Sequence, residues 1–283
     1  MRLISWNVNG FRAAARKGSL TKLLDSYNPD VLMLQEIKCT GDELMDTLTV
    51  YLPNCLDADN PEAYTVFITE SKVAGRHGVA MLVRNRLMDM SETNGEFNPE
   101  MVDPYVDNRQ EGRLQIISLN GYALFNTYTV NVRTGDKTVS DCRIPQRQLY
   151  DEHVYNLVNQ CLTHSTKKII FMGDFNVVRE LVDYHGPQIH PGLAGMTPEE
   201  REGFSNIMDA FHFVDTFRHV HENKVKYSYW SYRGDARASN KGWRIDYGLV
   251  TVDMIDEIVN ADILTEINGS DHAPILLDIE EVM

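Results

Sequence analysis

The chain reads as short apolar runs closed by polar or turn-forming residues, with amphipathic stretches between them. Leu3 to Trp6, Val31 to Leu34, Tyr64 to Ile68, Val79 to Val83, Leu114 to Ser118 and Ala123 to Tyr128 have the length and composition of strands. Lys168 to Met172, Tyr229 to Tyr232, Ile245 to Val250 and Ala273 to Ile279 continue the series. Several are apolar at every position, which predicts strands covered on both faces. Helical spacing occurs over Gln146 to Leu162, where Leu149, Val154, Leu157, Val158 and Cys161 recur, and Ser19 is placed as the cap of a helix over Leu20 to Tyr27. Thr197-Pro198-Glu199-Glu200 offers a cap, a proline at the first helical position and a glutamate three residues after the cap. Many strands with fewer helices predict stacked sheets with helices outside. With no internal repeat, low-complexity run or Gly/Ser linker, one domain is expected.

The longest uncharged stretch, Leu114 to Val132, is 19 residues long and approaches membrane-span length. Its Gln115, Ser118, Asn126, Thr127, Thr129 and Asn131, and an Asn120-Gly121 pair at its centre, make it a hairpin instead. Over the 283 residues, 43% hydrophobic and 24% charged positions exclude a disordered or collagen-like chain. The net charge of −14 argues against bulk electrostatic coating of nucleic acid or an anionic membrane. It leaves room for a local basic site, because residues 1–24 and 224–244 each carry a net +5. The cysteines, Cys39, Cys55, Cys142 and Cys161, form no CxxC pair, which disfavours a zinc ribbon or dithiol centre and suits a reducing compartment. Without a signal-like apolar segment at the N-terminus, a cytoplasmic location is expected.

The unusual polar residues cluster at strand ends. Asn7 and Asn9 follow the first strand, Glu36 the second, and Asp174 and Asn176 the strand ending at Met172; Asp246, Asp271 and His272 stand at strand beginnings. If the second group runs antiparallel to the first, all of these ends share one sheet edge. Singly, each is what a turn or a helix cap would use; together, in this order, they point to one site. Glu36, Asp174, Asp246 and Asp271 would repel one another without a cation, and oxygen donors with few His or Cys suit Mg²⁺ or Mn²⁺ rather than zinc. A lone His272 held cationic by a carboxylate could donate to a phosphoryl oxygen as charge builds there.

The segments Ser5-Trp6-Asn7-Val8-Asn9-Gly10, Leu34-Gln35-Glu36-Ile37-Lys38, Gly173-Asp174-Phe175-Asn176 and Gly269-Ser270-Asp271-His272-Ala273-Pro274 resemble the signature set of the endonuclease/exonuclease/phosphatase superfamily. TPEEREGF at 197–204, VDTFRH at 214–219 and GWRIDY at 242–247 are similar to the exonuclease III/AP endonuclease family, and the resemblance spans residues 2 to 279. It implies a four-layer α/β/β/α sandwich of two mostly antiparallel sheets flanked by helices, acting as a monomer on duplex DNA that contains abasic or 3′-blocked sites. It implies that Glu36 is the principal Mg²⁺ ligand, with Asn9 and Asp271 close to the ion and Mn²⁺ able to substitute. Asn7 would hold His272 or the attacking water, Asp174 would orient or deprotonate that water, and Asn176 would bind the phosphate. His272, paired with Asp246, would stabilise the pentacovalent phosphorus, and Tyr128 would stand near the scissile phosphate. Tyr229, Trp243 and Ile245 would enclose a flipped-out baseless sugar, a pocket that admits bare deoxyribose and excludes a nucleotide. Arg12, Lys38, Arg113 and Asn131 complete the expected substrate contacts.

Three departures from the family pattern stand out. Tyr128-Thr129-Val130-Asn131 replaces Tyr-x-Pro-Asn, Arg179 stands where a His often follows the Gly-Asp-x-Asn motif, and residues 183–195 are His- and Pro-rich rather than Asn-rich. His185 and His190 there are read as loop residues rather than a metal pair. The competing readings are a phosphoesterase of lipid or inositol phosphates, which GWRIDY disfavours, and a DNA-binding protein without catalysis, which the full set of acids and His272 disfavours.

Overall fold

In the computed structural model, residues 1–88, 111–119, 121–132, 143–164 and 168–280 are described. Their strands form two sheets. The first has six strands in the order β10 (Ile258–Ile263), β11 (Ile275–Ile279), β1 (Arg2–Asn7), β2 (Val31–Gln35), β4 (Val79–Arg84) and β3 (Tyr64–Thr69). The second has five, in the order β5 (Leu114–Leu119), β6 (Tyr122–Tyr128), β7 (Lys168–Asp174), β9 (Asp246–Thr251) and β8 (Phe213–Asp215). Each sheet holds one parallel pair, β1 with β2 and β6 with β7, and its other pairs are antiparallel.

The sheets face each other across Leu3, Val31, Met33 and Met81 on one side and Leu124, Ile170, Met172 and Val250 on the other. Outside the first sheet, Ile4, Leu32 and Leu34 pack with Phe11 and Ala14 of α1 (Phe11–Arg16), Leu20 and Leu23 of α2 (Ser19–Tyr27), and Leu44 and Leu48 of α3 (Gly41–Tyr51). Outside the second, Phe125, Phe171 and Leu249 pack with Val154 and Val158 of α5 (Ile144–His164) and with Phe204 and Ile207 of α6 (Pro198–Ala210). The shorter α4 (Asn85–Met88) and α7 (Thr216–His221) contribute Leu87 and Phe217 to the cluster between the sheets. Both faces of the central strands are thus covered, which is why β2, β4 and β6 are buried at every position and β2 and β4 run apolar without alternation up to their last residue.

One polar link crosses the apolar interface. Gln35 Nε2 donates to Asn126 Oδ1 at 2.7 Å, and Asn126 Nδ2 donates to the carbonyls of Leu34 and Ala80 at 3.3 and 3.0 Å. It ties the C-terminal end of β2 to β6 directly behind Glu36.

Several expectations are corrected. Tyr229 to Tyr232 is no strand: Tyr229 makes only isolated bridges, to Trp243 and His272, which seat its ring against the site. Ser19 is the first helical residue rather than the cap; Gly18, left-handed at φ 71°, precedes it without a side-chain cap bond. β8 and β10 were not expected, since a three-residue strand and the mixed run Ile258–Ile263 carry little period-2 signal. The Thr197–Glu200 capping box forms, and Leu119 pairs with Tyr122 as the expected hairpin requires. Asn120 and Cys142 lie outside the described residues, and Cys39 and Cys55 are free thiols.

Candidate active site

The parallel pairs aim four strand ends at one edge. β1 ends in Asn7, β2 leads into Glu36, β6 ends in Tyr128 and β7 ends in Asp174. β9, antiparallel to β7, begins at Asp246 directly opposite Asp174, and the turn before β11 presents Asp271 and His272. The turns are tight: Asn9, Glu36, Lys38, His77 and Asn176 all have φ between 47° and 54°. A left-handed conformation costs a non-glycine residue about 1–2 kcal/mol. Backbone hydrogen bonds from Gly10 to Glu36, Phe11 to Ile37, Ile37 to Gly78 and Lys38 to His77 hold this turn in place. Gly173, at φ 151°, precedes Asp174 because a Cβ there would lie 2.1 Å from the Thr127 carbonyl oxygen.

His272 Nδ1 lies 2.9 and 3.1 Å from the two oxygens of Asp246, and its Nε2 faces Asp174 Oδ2 at 3.9 Å. Burial works against a charged ring here, but Asp246 and then Asp174 outweigh it and push His272 up to about 10. Asp174 is itself raised, chiefly by burial, with Asp246 adding to the rise and His272 opposing it. Its Oδ1 accepts from the Asn176 backbone N–H and its Oδ2 from Asn7, each at 2.9 Å. Ser270 locks the two chain segments together: its hydroxyl donates to the Asn7 carbonyl at 2.7 Å and accepts from the His272 N–H at 3.2 Å.

Glu36 sits beside this group. Asn7 Nδ2 donates to its Oε1 at 2.9 Å, and the Lys38 ammonium meets its Oε2 at 2.7 Å. Burial would raise the Glu36 carboxyl, but Lys38 and Asn7 reverse the sign and hold it below its ordinary value. Lys38 also donates to Asn9 Oδ1, while Asn9 Nδ2 donates to Asp271 Oδ1 at 2.9 Å. The oxygens of Glu36 and Asn9 are therefore already gathered around one positive charge, a donor set that fits a hard divalent cation. Among the described residues, Asp174, Asp246 and His272 form the one His/Cys/Asp/Glu group compact enough to hold a metal ion, with ligand atoms within 4.8 Å of one another. A His272 ring held as the cation has no lone pair for a metal, so this trio suits proton transfer better than ligation.

A cleft of about 410 Å³ opens onto these groups. Tyr229, Trp243 and Ile245 line one part of it, and Tyr229 also stacks against His272 with ring centroids 4.8 Å apart. Gly195 packs beneath Trp243, and Tyr184 meets that ring edge-on at 5.1 Å. Arg244, between Trp243 and Ile245, is buried and bonds Asp183 at 2.7 and 3.1 Å and Asp215 at 3.0 and 2.7 Å, which fixes this segment from behind. Another part is lined by Tyr128, Asn131, His77, Arg113 and Arg143. The Arg113 guanidinium lies 4.4 Å over the Tyr128 ring, while Asn131 donates to Asn176 Oδ1 at 2.9 Å and Asn176 Nδ2 donates to the Thr129 carbonyl at 2.9 Å. Burial, followed by the nearby Glu36 charge, keeps the Tyr128 phenol well above its ordinary value, so it is a donor rather than a phenolate. A larger groove of about 590 Å³ between α5 and α6 is lined by five acids and no base, a poor seat for an anionic substrate.

The structure gathers Asn7, Asn9, Glu36, Tyr128, Asn131, Asp174, Asn176, Tyr229, Trp243, Ile245, Asp246, Asp271 and His272 at this edge. Two expected substrate contacts are placed otherwise. Lys38 is engaged by Glu36 and Asn9, and Arg12, half exposed on α1, is paired with Glu43. The basic segments are also less bare than their sequence suggests: Arg2 pairs with Asp278, Lys226 with Asp262, and Arg244 is internal. They do meet at the turn before Asp271, where Lys17 and Arg237 donate to the Gly269 and Ser270 carbonyls at 3.2 and 3.0 Å.

Sequence reasoning missed His77, Glu111 and Arg143. Glu111 accepts from both Arg113 and Arg143, and His77 Nδ1 lies 3.0 Å from Arg113. Burial first and Arg113 second push His77 down to about 4, so it is a neutral part of the wall. No spacing rule joins residues 77, 111 and 143; the Glu111-Gly112-Arg113 run was the only available signal. His185 and His190 flank the Tyr184 ring at 4.5 and 6.0 Å and are packing residues of the loop.

The model of the endonuclease/exonuclease/phosphatase family matches residues 4–272, and the chain belongs to that family. An exodeoxyribonuclease of Bacillus subtilis is 32% identical to it, the match covering 99% of both chains. A DNA-(apurinic or apyrimidinic site) endonuclease of Dictyostelium discoideum is 32% identical over 97% of this chain and 69% of the relative. The AP endonuclease LMAP of Leishmania major superposes with a TM-score of 0.81 at 26% identity, covering 99% of this chain and 88% of that one. Within the family, the chain falls in the exonuclease III/AP endonuclease group.

Proposed function

We propose that the protein is a DNA-repair nuclease that hydrolyses the phosphodiester 5′ to an abasic site in duplex DNA, leaving a 3′-hydroxyl and a 5′-deoxyribose phosphate. Some 3′-phosphodiesterase or 3′→5′ exonuclease activity accompanies it, and one chain supplies every group required. The observation that carries this reading is the pairing of a buried Asp246–His272–Asp174 trio with a cleft walled by Tyr229, Trp243 and Ile245.

Glu36, Asp271 and Asn9 would hold Mg²⁺, or Mn²⁺ in its place, which supplies a Lewis acid for the phosphoryl oxygens. Asp174, its carboxyl raised by burial, is poised to take a proton from water near neutral pH. Asn7, bonded to Asp174 Oδ2, keeps that carboxylate turned toward the cleft. His272, kept cationic by Asp246, offers its Nε2–H as a hydrogen bond to a phosphoryl oxygen as negative charge accumulates on it. Meanwhile the water oxygen bonds to phosphorus and the P–O3′ bond breaks, the departing 3′ oxygen taking a proton from solvent to become the 3′-hydroxyl. Asn176 and Tyr128 offer an amide N–H and a phenol O–H to the same phosphate. Rings and an aliphatic chain at the far wall accept a bare sugar and leave the polar edge of a base unsatisfied, so extrudable damage is selected.

The test is incision of a duplex with one tetrahydrofuran abasic analogue, alongside the intact duplex, a phosphosphingolipid and an inositol polyphosphate, with Mg²⁺ or EDTA. Chelator-sensitive cleavage of the abasic duplex alone supports the assignment. Preferential turnover of the lipid or inositol substrate overturns it.

A further inference from the structure

The Lys38 side chain stands among the expected metal ligands. Its ammonium takes Glu36 Oε2 at 2.7 Å and Asn9 Oδ1. The opposite atoms of those two side chains are committed elsewhere: Glu36 Oε1 accepts from Asn7, and Asn9 Nδ2 donates to Asp271. Asn9 has a single oxygen to give to a cation and Glu36 a single one not already accepting from an amide, and Lys38 holds both. A divalent cation drawing on the same two oxygens would compete with the ammonium for them and repel it at close range.

We propose that Lys38 is a built-in competitor for the divalent cation: its ammonium and the ion exclude one another from Glu36 and Asn9, so metal binding requires Lys38 to leave. This rests on the reading of Glu36 and Asn9 as metal ligands. The backbone favours motion of the side chain alone. Glu36, Ile37 and Lys38 are tied to Gly10, Phe11, Gly78 and His77 by four main-chain hydrogen bonds, whereas the Lys38 side chain is 30% exposed and ends a flexible four-carbon stem. While in place, the lysine neutralises Glu36 and fixes Asn9 toward Asp271, keeping the ligand oxygens from repelling one another. An ordinary half-exposed ion pair would contribute little, and its removal would leave metal affinity nearly unchanged.

The experiment is calorimetric titration of Mn²⁺ into the full chain without DNA, for wild type, Lys38→Met and Arg12→Met. Arg12 is a nearby cation paired with Glu43 and reports any general effect of lost charge. Lys38→Met is expected to bind Mn²⁺ about fivefold or more tighter than wild type, with Arg12→Met within about twofold. The Lys38→Met protein should also melt lower than wild type in EDTA and gain more from saturating Mn²⁺. Equal or weaker Mn²⁺ binding by Lys38→Met overturns the competition, as does equal tightening in both variants. Failure of the nuclease reading would show separately, as intact metal binding without incision of abasic DNA. A wild type that binds no Mn²⁺ overturns the metal centre and the competition together.

Discussion

Asn7 spans Glu36 and Asp174 with one amide nitrogen, 2.9 Å from a carboxylate oxygen of each. It thereby joins the oxygens expected to face the metal to the acid expected to activate water. Its Oδ1 accepts from the Asn9 N–H at 3.0 Å, which orients the amide so that only the nitrogen can face the acids. Asn7→Ala should lower kcat by about a hundredfold with a smaller change in KM, as expected for loss of one preorganised donor. Asn7→Asp should be worse, because it places a third carboxylate against the other two. Steady-state incision kinetics on abasic duplex check both, and an Asn7→Asp enzyme faster than Asn7→Ala would contradict this role.

The His272 ring should stay protonated well above neutrality in the metal-free protein. Its folded value of about 10 lies above the 6.5 of an unperturbed ring, so the stability it contributes is fully present below pH 6.5 and is lost as pH rises through about 10. Ring ¹⁵N shifts should show an imidazolium at pH 8, and Asp246→Asn should move the titration down toward neutrality. A neutral ring at pH 8 in the wild type would contradict the arrangement.

Asn126 anchors the inter-sheet link to Gln35 and caps two carbonyls, so Asn126→Ala removes one buried bond from each of the two carbonyls and one from the Gln35 amide, which keeps Ser5 Oγ at 2.9 Å. Destabilisation of about 2–4 kcal/mol in urea unfolding is expected. Because this link backs the strand that leads into Glu36, the residual folded enzyme should also lose metal affinity. A loss of stability under about 0.5 kcal/mol would show that water or repacking replaces the amide.

The strands of the two parallel pairs were legible because both faces are covered, leaving apolar runs with an abrupt polar stop. Asn7, Glu36 and Asp174 announce the site for that reason. Asp246, Asp271 and His272 were legible only through the assumption of antiparallel neighbours, which the β7–β9 and β1–β11 registers satisfy. Tyr229 lines the cleft but was placed on a strand, since its aromatic neighbours mimic one while only isolated bridges form. The His77, Glu111 and Arg143 wall was not legible, because it is a tertiary charge cluster from three distant segments. Charge counts also overstated the basic surface: Arg244 counts toward the +5 of residues 224–244 but is spent on Asp183 and Asp215 in the core.

Trp243 forms the wall expected to read the missing base, and it lies apart from the groups expected to hold metal. Trp243→Ala should lower the preference for abasic over intact duplex by about tenfold or more, with Mn²⁺ affinity unchanged within about twofold. Competition cleavage of mixed duplexes and calorimetry measure the two. A variant that keeps its discrimination would move the recognition pocket elsewhere in the cleft.

The most direct measurement of the central claim is single-turnover incision of a tetrahydrofuran-containing duplex by wild type, His272→Ala and Glu36→Ala, each with Mg²⁺ and with EDTA. Wild type should cut only with Mg²⁺. Both variants should fall by at least about a thousandfold while still binding the duplex. Incision by His272→Ala at a wild-type rate would contradict the mechanism, and absence of incision by wild type with Mg²⁺ would contradict the function.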